Sequence, residues 1–389
     1  MRDLSDVQLE GKVIALRADL NVPISQDGSI IDNLRIETIV PTLRFITDHN
    51  AKVVIYSHFG RPKDGADPTM STERLVKPLA KTLQKQVSFA TDCIGDPVKD
   101  ALATANPGTV VLAENVRFHS GELANDYEFS AALAEHADLY VNDAFSASHR
   151  VHASVVGITK HLPSFPGLSL TREIDSFDKV LTSPTLPLVT VIGGAKVSTK
   201  LGVLGKIDRV NAILIGGGMA NTFLAAQGID MGESLVEHDM VEEAQQILET
   251  AASSNVIVML PVDGIMAPDI SGNSIAEVAQ VTEIPQGWRM LDIGPTTCGL
   301  FSDVINNAGT VIWNGPMGMF EQPQYAEGTR AIATALAESS AYCVVGGGES
   351  VAAVRQMSLT AGIDHVSTGG GAALELLEGN SLPGIAALE

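Results

Sequence analysis

The sequence predicts an α/β protein of two lobes, each a mainly parallel sheet flanked by helices, joined by a hinge helix. Three observations lead there. First, the chain has 389 residues, 45% of them hydrophobic. Single cores stop growing at roughly 250 to 300 residues, so that much apolar material divides into two. Second, short β-branched apolar runs recur, each ending in small or polar residues before a helix-like stretch. Strand, turn and helix in this alternation build parallel sheets with covered faces, the Rossmann-like arrangement. Third, a Pro and Gly cluster, His161 to Gly167, is followed by charges at helical spacing from Thr171 to Leu181, which predicts a lobe boundary and a connecting helix.

The strand-like runs, in order, are Val13–Leu16, Val53–Tyr56, Val110–Leu112, Leu139–Val141, Leu188–Ile192, Ala212–Ile215, Val256–Leu260, Val311–Trp313 and Tyr342–Val345. Nine are too many for one small sheet. Apolar spacing predicts crossover helices over Ser71–Gln84, Met240–Ala252 and Arg330–Ser339. The expected division is an N-lobe over 1–169, a C-lobe over 170–373 that begins with the connecting helix, and a C-terminal segment over 374–389.

Composition narrows the class. The net charge of −21 argues against nucleic acid or an anionic membrane as partner, since both need a basic surface. No apolar run approaches the roughly 18 residues of a membrane span, and the first residues lack the pattern of an export signal. Cys93, Cys298 and Cys343 stand far apart without Cys-x-x-Cys spacing, against a disulfide framework or structural zinc and in favour of a reducing cytoplasm. The acidity is unevenly spread. Met1 to Phe165 carries 16 Lys and Arg against 21 Asp and Glu, with seven of the nine histidines, and the remainder carries 9 against 25.

In open parallel sheets ligands sit beyond the carboxyl ends of the strands. Past the early runs stand Arg17, Asp19 and Asn21, then His58 and Arg61, Asn115 and Arg117, and Asn142 and Asp143 with His149, Arg150 and His152 after them. Any single arginine is as readily a surface ion pair. Four at strand ends of one lobe predict a site for a small molecule bearing carboxylate and phosphate groups, which the guanidinium fork matches. Past the later runs stand glycines: Gly193-Gly194, Gly216-Gly217-Gly218, Asn314-Gly315-Pro316 and Gly346-Gly347-Gly348. Such turns admit backbone N–H groups close to an anion at a helix N-terminus. Lys196 and Lys200 follow the first of them one helical turn apart. Together these features predict a phosphate chain there.

Known fingerprints are absent. The Gly-Lys pairs, at 11–12 and 205–206, are not followed by Ser or Thr, so no Walker-type loop exists, and no glycine run completes Gly-x-Gly-x-x-Gly. The second absence counts against a nicotinamide dehydrogenase. A two-lobed anion-binding protein of periplasmic type lacks its export signal. His149 and His152 have no third ligand nearby in sequence, and no zinc is assigned to them.

Six segments carry a resemblance: Arg17-Ala18-Asp19-Leu20-Asn21-Val22-Pro23, Ser57-His58-Phe59-Gly60-Arg61-Pro62, Glu114-Asn115-Val116-Arg117-Phe118, Ser148-His149-Arg150-Val151-His152-Ala153-Ser154, Gly193-Gly194-Ala195-Lys196-Val197 and Trp313-Asn314-Gly315-Pro316. In this order along the whole chain, they resemble phosphoglycerate kinase of the bacterial type. The resemblance implies reversible glycolytic phosphoryl transfer from 1,3-bisphosphoglycerate to ADP, giving 3-phosphoglycerate and ATP, by in-line transfer after hinge closure. It implies that Asp19, Asn21, Arg35, His58, Arg61, Arg117 and Arg150 bind the glycerate substrate. It places Lys200, Gly217, Asn314, Glu321, Gly347, Gly348, Glu349 and Ser350 at the nucleotide, with Arg35, Lys196 and Lys200 converging on the phosphoryl in flight. It also implies Mg2+ as the cofactor, a monomer, and a tail that returns to the N-lobe. At one position the chain departs from the family pattern: the magnesium carboxylate is an Asp there and Glu349 here. The extra methylene moves the group outward by roughly 1.5 Å.

Overall fold

A computed structural model describes all residues except 1–2, 26–27, 64 and 206–209. The chain divides into two compact units, Met1–Asp175 with Asn380–Glu389, and Ser176–Gly379. The helix Leu168–Thr182 spans the dividing point.

The first unit holds six strands: β1 (Val13–Arg17), β2 (Lys52–Tyr56), β3 (Val87–Ala90), β4 (Val110–Ala113), β5 (Leu139–Asn142) and β6 (Ser164–Pro166). They form one sheet in the order β3-β4-β2-β1-β5-β6, parallel throughout. Burial on both faces explains the unbroken apolar runs. Ile14, Leu16, Val53, Ile55, Val110, Leu112 and Val141 pack with Ile36, Ile39 and Leu43 of the helix Leu34–Asp48. Tail residues 380–389 belong to this unit: Gly384 donates its N–H to the Ser148 carbonyl (2.7 Å), and its own carbonyl accepts from Asn142 Nδ2 (3.2 Å).

The second unit holds β7 (Leu188–Ile192), β8 (Ala212–Ile215), β9 (Ile257–Met259), β10 (Asp263–Ala267), β11 (Glu277–Gln280), β12 (Arg289–Ile293), β13 (Thr310–Asn314), β14 (Tyr342–Gly346) and β15 (His365–Val366). Six of these make a second parallel sheet, ordered β15-β14-β13-β7-β8-β9. The expected two mainly parallel sheets flanked by helices are therefore present. β10, β11 and β12 form a separate antiparallel sheet that the apolar-run reading did not contain. β11 is mostly exposed and polar, Glu277 to Gln280, so it has no apolar run to find.

All nine expected runs are strands, within a residue or two at their ends. The segment read as a Pro and Gly linker contains β6 instead. Pro166 is tolerated because β6 lies at the sheet edge, where a missing N–H leaves no ladder bond unmade.

Strand order fixes where ligands go. In each sheet the chain starts at an inner strand, builds outward on one side, then returns to the other side of that strand. The order reverses between β1 and β5 in the first unit and between β7 and β13 in the second. At such a switch the following loops diverge and leave a crevice at the carboxyl ends.

Candidate active site: an arginine cluster and a glycine-lined cavity

At the first switch point, Arg17 ends β1 and is almost wholly buried. A buried guanidinium must have its donors satisfied. Its Nε donates to Ser154 Oγ (2.9 Å), Nη2 to His58 Nδ1 (3.0 Å) and Nη1 to the Ala18 carbonyl. Ser154 in turn donates its hydroxyl and its N–H to the two oxygens of Glu122, at 2.6 and 2.8 Å. Glu122 is fully buried. This relay sets the counter-charge for the basic residues around it.

Asp19 lies two residues beyond β1. It accepts from Arg35 Nη1 (2.5 Å), from the Asn21 N–H (3.0 Å) and from the Ser146 hydroxyl beyond β5. Burial alone would raise its carboxyl; Arg35, His58 and these hydrogen bonds outweigh burial and hold it well below the usual range. Asn21 Oδ1 accepts from the Gly60 N–H (2.8 Å), and Arg117 Nη1 donates to the Gly60 carbonyl (2.8 Å). One short loop after β2 thus ties two site residues. Asn115 shapes the next turn, accepting from the Phe59 and Arg117 N–H groups and donating to the Phe59 and Met70 carbonyls.

The positive charges crowd one another. Burial lowers Arg117 to about 10, with Arg150, Arg17 and Arg61 pushing the same way and Glu122 opposing. Arg150 is lowered by burial and by Arg61 and Arg17. His58 is driven well below its ordinary value by burial and by Arg17, Arg117 and Arg150, despite Asp19. His152 falls to about 4 for the same reasons. Arg117 Nε is buried without a hydrogen-bond partner, and Arg61 is exposed and forms no ion pair among the described residues. Such a cluster is an anion site: the charge that would relieve it is a ligand's.

The second switch point is built from backbone. After β7, the Gly193 N–H donates to the Asn314 carbonyl (2.9 Å) and the Gly194 N–H to the Pro316 carbonyl (2.9 Å). Gly315 has φ +98° and a Cβ there would collide with the Gly193 carbonyl; Gly217 has φ +66° and a Cβ would sit 2.7 Å from the Gly194 nitrogen. Only glycine fits either place. Trp313, fully buried, donates its indole N–H to the Gly315 carbonyl (2.7 Å). The buried Ser350 hydroxyl accepts from the Gly315 N–H (2.6 Å), which ties this residue, expected at the nucleotide, to the turn.

Beside these turns lies a cavity of about 450 Å³, lined among others by Gly194, Gly217, Leu235, Met317, Glu321 and Glu349. The expected Gly217, Glu321 and Glu349 are therefore brought together. Lys200 donates to Asn314 Oδ1 and is lowered by burial, with Glu349 and Glu378 pulling it back up. Asn314 is 2% exposed and its Nδ2 has no partner. A Cβ on Gly347, which has φ +88°, would stand 3.1 Å from the Asn314 side-chain amide, and Gly348 opens the helix Gly348–Gln356. Lys196 is exposed, just before the turn Val197–Thr199, and is not joined to Lys200 or Asn314 by a hydrogen bond.

Sequence reasoning did not find Glu122, Ser154 or Ser146, which hold the arginine cluster, nor the apolar cavity wall at Leu235 and Met317. Glu122 is one acidic residue among many in sequence. Its only signal is an acid placed between an arginine-bearing turn and an apolar helix.

These two sites, on two parallel α/β units, define a phosphotransferase class of fold and chemistry. The family model for phosphoglycerate kinase matches residues 4–380. Phosphoglycerate kinase of Moorella thermoacetica is 45% identical over 386 residues, covering 99% of this chain and 98% of its own. That of Roseiflexus is 47% identical over 390 residues, covering 100% and 98%. Among solved structures, phosphoglycerate kinase from Coxiella burnetii matches with TM-score 0.89 at 39% identity, covering 100% of this chain and 98% of that one. The enzyme from Pyrococcus horikoshii matches with TM-score 0.90 at 32% identity and the same coverage. The chain belongs to the phosphoglycerate kinase family and is a phosphotransferase.

Asp292 also lines the cavity, and burial raises it to about 7, with the N–H groups of Gly328 (2.7 Å) and Ile293 (2.9 Å) pulling it partly down. A raised carboxyl stays protonated in the folded chain where the unfolded chain has ionised. Its stabilisation is therefore full below the unfolded value of 3.8 and lost as pH rises through about 7. Carboxyl 13C NMR should find its midpoint near 7, and Asp292→Asn should remove a fall in unfolding free energy between pH 4 and 7. A midpoint below 5 would refute the environment described.

Proposed function

We propose that the arginine cluster binds 3-phosphoglycerate or 1,3-bisphosphoglycerate through Asp19, Asn21, Arg35, His58, Arg61, Arg117 and Arg150, and that the glycine-lined cavity binds ADP or ATP. The observation that carries this reading is the crowding of guanidiniums around the buried Arg17: Arg117, whose buried Nε has no partner, is lowered by burial and by Arg150 and Arg17, and Arg150 is lowered by burial and by Arg61 and Arg17, so the cluster is short of counter-charge. A ligand with a phosphate at one end and a carboxyl or acyl phosphate at the other would supply it. Family membership supports the same reaction, and we assign the chain to the glycolytic step that interconverts these substrates.

The chemistry asks little of the protein beyond charge and alignment. An oxygen of the ADP β-phosphate attacks the acyl phosphorus in line; the bond from phosphorus to the C1 oxygen breaks and its electrons remain on the departing carboxylate. A carboxylate needs no proton to leave, so no general acid is required. The transferred group carries its charge throughout, and donors fixed in advance stabilise it best. Arg35, Lys196 and Lys200 fill that role. His58 is not a nucleophile here: it is buried, and its Nδ1 accepts from Arg17.

Mg2+ would be held by Glu349. The fit is reasonable: Glu349 is an exposed carboxylate in the first turn of the helix Gly348–Gln356, lines the cavity and pulls Lys200 upward in pKa. A hard carboxylate with water suits that ion, which when bound would neutralise nucleotide phosphate charge. The longer side chain, compared with the family Asp, is accommodated by a change of rotamer or a bridging water.

The remaining features follow from family expectation. Substrates held by separate units must meet, so the helix Leu168–Thr182 acts as a hinge and closure excludes water from the acyl phosphate. The functional division we propose, 1–169, 170–373 and 374–389, lies within about six residues of the limits of the two compact units. The chain works as a monomer in the cytoplasm. No helix among the described residues is long and apolar enough to cross a membrane.

Two tests follow. In an assay coupling ATP formation to 1,3-bisphosphoglycerate and ADP, Lys200→Ala and Arg35→Ala should lower kcat by roughly a hundredfold or more, as for loss of a transition-state charge contact. Arg117→Ala should chiefly raise KM for the glycerate substrate. Turnover absent from the wild type, or unchanged in Lys200→Ala, would overturn the assignment. Separately, Glu349→Ala should raise the Mg2+ concentration needed for half-maximal turnover. An unchanged requirement would remove Glu349 as ligand.

A further inference from the structure

A second constellation in the first unit takes no part in the reaction just described. Asp92 and Cys93 lie in the turn after β3, and His119 follows the short turn Val116–Phe118 after β4. One carboxylate oxygen, one thiol sulfur and one imidazole nitrogen lie within 4.8 Å of one another. No other group of His, Cys, Asp or Glu among the described residues is comparably clustered. Two of the three are open on one side: the His119 side chain is 32% exposed and that of Asp92 40%. Cys93 closes the other side and is fully buried.

The donors in this cluster meet at one carboxylate. His119 Nε2–H donates to Asp92 Oδ1 (2.8 Å), and the Cys93 N–H donates to the same oxygen (2.6 Å). The imidazole nitrogen, the carboxylate oxygen and the thiol sulfur thus surround one small volume, where a cation would take the place of the imidazole and thiol protons. The imidazole is steadied by stacking on Phe129, with ring centroids 5.1 Å apart and planes 27° from parallel.

We propose that Asp92, Cys93 and His119 form a binding site for one zinc-class divalent cation. The charges balance: a thiolate and a carboxylate offset the two positive charges, and a neutral imidazole supplies the nitrogen. The thiol proton is released to solvent, and the imidazole keeps its one proton by moving it to Nδ1. Mixed sulfur, nitrogen and oxygen donors select zinc or cobalt and exclude magnesium and calcium, which take oxygen. Bonds of roughly 2.0 to 2.3 Å demand that the donors draw together by about an ångström, and water takes the fourth position on the exposed side. A ligating thiol gives up its proton when the cation binds, so binding is tied to proton release. Bound, the ion would tie the turn after β3 to the turn that carries Arg117.

Cobalt is the probe. Co2+ titrated into the reduced, metal-free full chain should produce a near-ultraviolet thiolate-to-cobalt charge-transfer band that saturates at one equivalent and is bleached by Zn2+. Cys93→Ser should abolish the band. His119→Ala, at a partly exposed position, should keep the fold by circular dichroism and weaken cobalt binding by at least about tenfold. Absence of the band at one equivalent would overturn the proposal. So would an equal band in Cys93→Ser, which would point to Cys298 or Cys343, or undiminished affinity in a folded His119→Ala.

Discussion

Repulsion among guanidiniums is the constraint around which the first unit is arranged. Burial together with Arg150, Arg17 and Arg61 disfavours the charge on Arg117, and burial together with Arg61 and Arg17 disfavours that on Arg150, while Glu122 and Asp19 compensate in part. Leaving a buried charge unpaired is strongly destabilising, by roughly 3 to 5 kcal/mol where a partner is removed. Glu122 is therefore placed with no exposure and both oxygens bound by Ser154, and Ser154 passes that charge to Arg17. The relay satisfies Arg17, which in turn holds His58. The more exposed arginines are left under-compensated, as the proposed binding of a dianionic ligand requires.

The second unit solves the opposite problem. It has few side chains to offer at its switch point, and binds by bringing backbone close. Gly193, Gly217 and Gly315 let three loops approach within distances that any Cβ would forbid. Trp313 and Ser350 fix those loops from below by hydrogen bonds to Gly315. Glu349 adds a negative charge to the cavity lining, and Lys200, bonded to Asn314, adds a positive one that Glu349 favours. The asymmetry in composition between the two halves of the chain fits the proposed division, in which one unit would recognise anions by guanidinium and the other by N–H groups and helix ends.

Much of this was legible in the sequence because parallel strands buried on both faces leave unbroken apolar runs, and because the residues just past them are where ligands bind. All nine runs became strands and both switch-point loops were in the candidate set. What escaped had no periodic or local signal. β11 is exposed, β3 and β6 are short edge strands, and β15 has two residues. Arg35 sits on a helix, so strand-end logic passes over it; family resemblance alone pointed to it, and its 2.5 Å pair with Asp19 joins it to the cluster. Glu122 and Ser154 are 32 positions apart, and Ser350 meets Gly315 across 35. Tertiary pairings of this kind cannot be read from one sequence. Asp92, Cys93 and His119 were invisible for the same reason: a search for close cysteine spacing does not find one cysteine joined to a histidine 26 residues later.

The two sites share one chemical property, which is that neither presents an activated nucleophile. His58 is buried and committed to Arg17, the Asp19 and Glu122 carboxylates are bound by donors, and burial raises the thiols of Cys93, Cys298 and Cys343. The catalysis we propose therefore consists of neutralising charge and aligning two substrates, with the phosphoryl group passing directly from one to the other. The stereochemical course at phosphorus tests that claim most directly. With an acyl phosphate made chiral by oxygen isotopes, a single in-line transfer to ADP gives inversion. Retention would mean two displacements through a phosphorylated residue, and would contradict the account.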